Sequence, residues 1–147
     1  MRLHSPVLAA RAAVLVALVG LAGTAGCGSG GPKTYPVRGK VDLAGADVAV
    51  LAGSTIEAAQ DKDPTVRASG TIDPGGRFTL QTLHAGVLRT GAPEGRYQAR
   101  VILGDDDREA LRKAAQVLDP RFLQFQTAGL TFQVPADGEV ILKLSRR

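Results

Sequence analysis

From Tyr35 onward the chain alternates apolar and polar residues over short stretches, each broken by Gly, Pro or Asp. A period of two sends successive side chains to opposite faces of an extended strand, so one face can be buried while the other stays wet. Val37, Gly39, Val41 and Leu43 fall on one side of such a strand, with Arg38, Lys40 and Asp42 on the other. Tyr97, Ala99, Val101 and Leu103 do the same against Arg96, Gln98, Arg100 and Ile102. The runs 48–51 and 54–58 read as two more strands broken at Gly53, and the polar stretch 60–64 reads as a loop. Many short strands with frequent punctuation predict an all-β antiparallel sandwich or barrel.

Turn chemistry refines this picture. Residues 66–72 lead through Asp73-Pro74-Gly75-Gly76 into residues 77–82. Pro74 presets a turn and the glycines accept positive φ, which predicts a hairpin. A longer loop carrying His84, Gly86, Gly91, Pro93 and Gly95 follows, and residues 130–134, the turn 135–139 and residues 140–144 predict a closing hairpin. One segment breaks the strand pattern. Between Asp105 and Pro120, Leu111, Ala114, Ala115 and Leu118 share a helical face, aspartates open the segment, and Glu109 precedes Lys113 by four. A short inserted helix of about three turns is expected there.

The amino-terminal segment speaks to location. Arg2 and Arg11 flank a polar start, and residues 12–26 then carry no charge. That run is shorter than the ~20 residues that span a bilayer, but it suits the apolar region of a signal peptide. Thr24-Ala25-Gly26 directly precede Cys27, the single cysteine of the chain. The arrangement resembles a bacterial lipobox, which would make residues 1–26 a lipoprotein signal peptide and Cys27 the site of acylation. Thr24 stands where such motifs usually carry Leu. Ordinary secretory cleavage after Ala25 and a retained membrane anchor are the competing readings. Residues 27–34 read as the modified cysteine plus a flexible Gly/Ser tether, and residues 35–147 as the folded body.

Four segments of that body resemble the carboxypeptidase regulatory-like domain: "YPVRGKV" (35–41), "GTIDPGGRFTL" (70–80), "GAPEGRYQARV" (91–101) and "GLTFQVPADGEVILKL" (129–144). The resemblance implies a seven-stranded, transthyretin-like or immunoglobulin-like sandwich, used as a non-catalytic accessory module of envelope lipoproteins. The inserted helix lies outside the minimal pattern of that family. With Cys27 acylated (by palmitate or another fatty acid), the protein would sit on a membrane face of the cell envelope, periplasmic or extracellular. Its partners would then be the membrane itself, an envelope protein or a polysaccharide.

Composition narrows the chemistry. Without Arg2 and Arg11, 16 basic residues of the total 18 face 14 acidic ones, scattered rather than clustered, which argues against nucleic acid. A single cysteine excludes an intramolecular disulfide framework and a thiolate zinc cluster. Asp105, Asp106 and Asp107 invite a calcium reading, but calcium loops space their acids at alternate positions, and a helix cap explains the run more simply. His84 is the only histidine after the leader, and nothing beside it supplies a nucleophile. A transthyretin-like hydrolase is therefore the last of three functional readings. No metal and no cofactor is expected. Phe122, Leu123 and Phe125 form a candidate partner patch, against the plainer reading that they seal one end of the body. A carbohydrate or small-ligand sandwich is the alternative to the binding or structural module, though the absence of tryptophan leaves a sugar-stacking face poorly supplied.

Overall fold

Alternation becomes burial in the three-dimensional structure, a computed structural model that describes residues 30–147. The two-residue strand β1 (Thr34–Tyr35) leads into β2 (Arg38–Ala44), in which Gly39, Val41 and Leu43 are buried and Arg38, Lys40 and Asp42 exposed. The chain is mostly β, with eleven strands among the described residues where seven were expected. After β2 come β3 (Thr55–Gln60), β4 (Arg67–Thr71), β5 (Arg77–Thr79), β6 (Gln81–His84), β7 (Val87–Thr90), β8 (Ala92–Pro93) and β9 (Gly95–Ile102). Helix α1 (Arg108–Val117) and the single turn α2 (Phe125–Ala128) separate β9 from β10 (Leu130–Val134) and β11 (Val140–Ser145).

A six-stranded sheet runs in the order β10-β9-β3-β4-β6-β7, a three-stranded sheet in the order β11-β2-β5, and β1 pairs with β8. Buried residues from both larger sheets join one continuous apolar cluster: Val41, Leu43, Phe78, Leu142 and Leu144 from one, Ile56, Ala58, Tyr97, Ala99 and Val101 from the other. Tyr97 is fully buried, stacks on Phe132 with ring centroids 5.5 Å apart, and donates its hydroxyl to the Pro93 carbonyl at 2.9 Å. Burial pushes its pKa up to about 12.

Several connections differ from the sequence expectation. The turn at Asp73 forms, with Gly76 N–H donating to Asp73 O at 2.9 Å and Arg77 N–H donating to Asp73 Oδ1 at 2.8 Å. It closes no hairpin, because β4 pairs with β3 and β6 while β5 pairs with β2 in the other sheet. The expected single strand 77–82 is split at buried Leu80, where the chain changes sheets. The closing hairpin is likewise absent: β10 pairs with β9, and β11 lies parallel to β2, from Val140 beside Gly39 to Ser145 beside Ala44. That one parallel ladder departs from the all-antiparallel expectation. In both places a turn reverses the chain equally well within a sheet or between sheets, and burial of two apolar faces selects the second.

Residues 48–51 form a 3₁₀ turn, not a strand. Their run is apolar without alternation, so period alone does not decide its type. Asp47 decides it by accepting the Ala49 N–H at 2.9 Å as an N-cap, which buries Leu51 completely. The expected loop around His84 is instead the β6–β7 hairpin, whose two linking residues, Ala85 and Gly86, both have positive φ (49° and 78°). That conformation matches the twist of paired strands.

The inserted helix is present. Asp107 caps α1 through Glu109 N–H (2.8 Å) and Ala110 N–H (3.3 Å), and Lys113 pairs with Glu109 at 2.8 Å. Its covered side carries Leu111, Ala114, Val117 and Leu118; Ala115 is exposed, one position round from the stripe. Pro120 begins a 3₁₀ turn (Pro120–Leu123) that leads directly into α2.

Candidate functional site

The outward faces of β3, β4 and β9 carry side chains that lie far apart in sequence. Register sets Glu57 opposite Ser69 on one side and Arg100 on the other, and Ala59 opposite Arg67 and Gln98. Glu57 then reaches both neighbouring strands. Its Oε2 accepts from Arg100 Nε at 2.7 Å and its Oε1 from Arg67 Nη1 at 2.9 Å. Burial works against ionisation of Glu57, but hydrogen bonds and charge from Arg100 and Arg67 outweigh it and hold the carboxyl below its usual range. Arg67 also donates to the Pro64 carbonyl at 3.2 Å, which fixes its stem.

Phe125 caps this cluster. Helix α2 lies against β9, and its opening residue lays a ring beneath two guanidiniums, 4.8 Å from Arg100 and 5.3 Å from Arg67. Both distances suit cation–π attraction. The Thr127 hydroxyl, donating to Arg121 O at 2.6 Å, ties the turn to the preceding one, and Gly129 closes it in the left-handed conformation. Beside the ring opens a cleft of about 220 Å³, lined by Ala59, Gln60, Asp61, Arg67, Gln98 and Phe125 among others. Amides, one carboxylate, one guanidinium and an aromatic edge give it hydrogen-bonding capacity over an apolar floor. It is small beside the few hundred Å³ of a typical ligand pocket.

The three residues of the expected patch part company here. Phe122 is buried in the core, as the plainer reading required; Leu123 is half-buried and packs against that core. Only Phe125 reaches the outer face of the sheet. His84 is exposed at the end of β6 with Val87 as its cross-strand partner, so no acid or nucleophile faces it there. Asp105 and Asp106 are exposed beside the Asp107 cap, and among the described residues no group of three or more His, Cys, Asp or Glu could hold a metal ion. Cys27 lies outside the described residues.

Sequence reasoning missed Glu57, Arg67 and Arg100 as a unit. Strand parity puts each on a solvent side, but only the pairing register brings Glu57 and Arg100 into contact across 43 positions. Comparison with known proteins adds nothing to these observations: no family model, curated protein or solved structure matches the chain.

Proposed function

We propose that this chain is a lipid-anchored, non-catalytic binding or structural module of the cell envelope. In this reading the six- and three-stranded sheets are the two layers of a β-sandwich of the carboxypeptidase regulatory-like, transthyretin-like type. Acylated Cys27 holds it on a membrane face, the Gly/Ser tether sets its reach, and the outer face around Phe125 meets an envelope protein.

The observation that carries the non-catalytic part is the state of the best-placed carboxylate. Glu57 is pinned by two arginines at 2.7 and 2.9 Å, which hold its carboxyl below its usual range, so it neither gives nor takes a proton near neutrality. An arginine pair consumed in this way builds a rigid surface rather than a reactive one. The anchoring part rests on the order of features in the chain: a short uncharged apolar run, small residues, one cysteine, then Gly and Ser. A second reading, a sandwich binding a carbohydrate or another small ligand, is favoured by the cleft beside Phe125, where Gln60, Gln98 and Asp61 converge. A hydrolase using His84 draws no support from the Val87 that faces it.

Radioactive palmitate tests the anchor. Label on the wild-type chain that disappears in Cys27→Ala supports acylation. No label on wild type, or label that persists in the variant, overturns it.

A further inference from the structure

The β6–β7 hairpin leaves large apolar side chains in water: Leu83 is 67 % exposed, Leu88 60 % and Val87 53 %. Leu83 and Leu88 face each other across the ladder on one side of the ribbon, and Val87 lies on the opposite side beside His84. A protein partner laid against one face of a ribbon covers one of these sets. A bilayer interface, which surrounds an inserted tip, covers both. The apex itself is small, Ala85-Gly86 in a tight turn, which suits a wedge.

Charge and chain path indicate which medium. No acidic residue occurs between Asp73 and Glu94, while Arg89 lies within the hairpin and exposed Lys33 in the segment that enters the fold beside it. The body as a whole is nearly balanced in charge, so an acid-free stretch of this length is a local property. Anionic lipid headgroups complement it. A side-chain carbon added at Gly31 would stand 2.9 Å from the Arg89 guanidinium, so the chain enters the folded unit against this hairpin. Gly31 lies four positions after Cys27, a reach of at most about 14 Å.

We infer that the β6–β7 hairpin is a membrane wedge: Leu83, Val87 and Leu88 enter the interface of an anionic phospholipid bilayer, with Lys33 and Arg89 at headgroup level. This rests on the acylation of Cys27 for its geometry, since the short link from an acylated Cys27 to Gly31 keeps the tip within reach of the bilayer surface. Insertion at a second point would then fix the orientation of the body, as a single flexible anchor does not.

The test uses the full mature chain bound to vesicles of phosphatidylethanolamine and phosphatidylglycerol, with Leu88→Cys labelled by a bimane. Acylation blocks the Cys27 sulfur, so residue 88 carries the only reactive thiol. The expected result is a blue-shifted emission that nitroxide lipids quench. The same label in Asp137→Cys, in the turn leaving the opposite edge strand β10, stays in water and is not quenched. A residue 88 label that stays as wet as the one at 137 overturns the wedge, and so does a shift that grows with protein concentration without vesicles, which marks self-association. If Cys27 also takes the probe, the anchor is absent, and the labelled Leu88→Cys chain carrying Cys27→Ser is added to the vesicles. Quenching there supports a wedge that acts without an anchor; its absence overturns the wedge.

Discussion

Gly70→Ala probes how the chain passes between its two sheets. Gly70 is buried in β4 with its missing side chain directed at β5, so an added Cβ would stand 2.9 Å from the Thr79 carbonyl carbon and closer still to its oxygen. Ordinary contact begins near 3.4 Å, and the opposing atoms are backbone, so no rotamer change relieves the clash. Thr79 is itself held by its pairing with Arg38, and the next residue, Leu80, donates its N–H to Val37 O at 3.0 Å. Overpacking costs roughly 1–3 kcal/mol, and the rigidity of both partners puts this case near 3. At roughly 4 °C per kcal/mol for a body of this size, Tm falls by about 12 °C. Gly138→Ala is the control, since nothing lies within 4 Å of its Cβ; it should stay within about 0.5 kcal/mol of wild type. Urea titration followed by the circular dichroism of the sheets measures both. If Gly70→Ala also stays within about 0.5 kcal/mol at unchanged m-value, β5 does not cross β4 at that point and the close approach of the two sheets there is refuted.

Phe122→Ala should cost roughly 3–5 kcal/mol as a core deletion, whereas Phe125→Ala should cost about 1 kcal/mol, mostly lost cation–π contact; equal losses in chemical denaturation would contradict their different burial. Glu57 titrates lower folded than unfolded, so its stabilisation is complete above the unfolded carboxyl pKa of about 4.3 and disappears as pH falls through the folded value. Glu57→Gln should therefore flatten the acid limb of the stability–pH curve; an unchanged limb would assign that dependence to other carboxylates. Asp107→Ala removes the two-bond cap of α1 and should cost about 1 kcal/mol, read as faster amide exchange at Glu109 and Ala110, and protection equal to wild type would refute the cap.

Local physics made much of this protein legible in advance. Burial alternates along β2 and β9 as the residue pattern requires, because a strand has only two faces. The Asp107 cap, the Glu109–Lys113 pair and the Asp73 turn each depend on residues within four positions of one another, so their chemistry is complete in a short stretch of sequence. For Phe122 the residue pattern leaves two readings open, a partner patch or an apolar seal, and its burial in the core agrees with the second.

Tertiary structure decided everything that depends on which strand lies beside which. The segments around Asp73-Pro74-Gly75-Gly76 and around Pro135 reverse the chain locally, and a reversal reads the same whether the next strand pairs with the last or joins a second sheet. Gly70 shows the difference: in sequence it is one small residue in a strand, and in the fold it is where backbone of a strand from another sheet passes. Glu57 becomes a site only because register sets Arg67 and Arg100 on either side of it. The exposed tip at Leu83, Val87 and Leu88 belongs to a hairpin whose strand β7 is, among the described residues, the edge of its sheet. Pairing and layering are set by burial summed over the whole chain, and no single segment carries that sum.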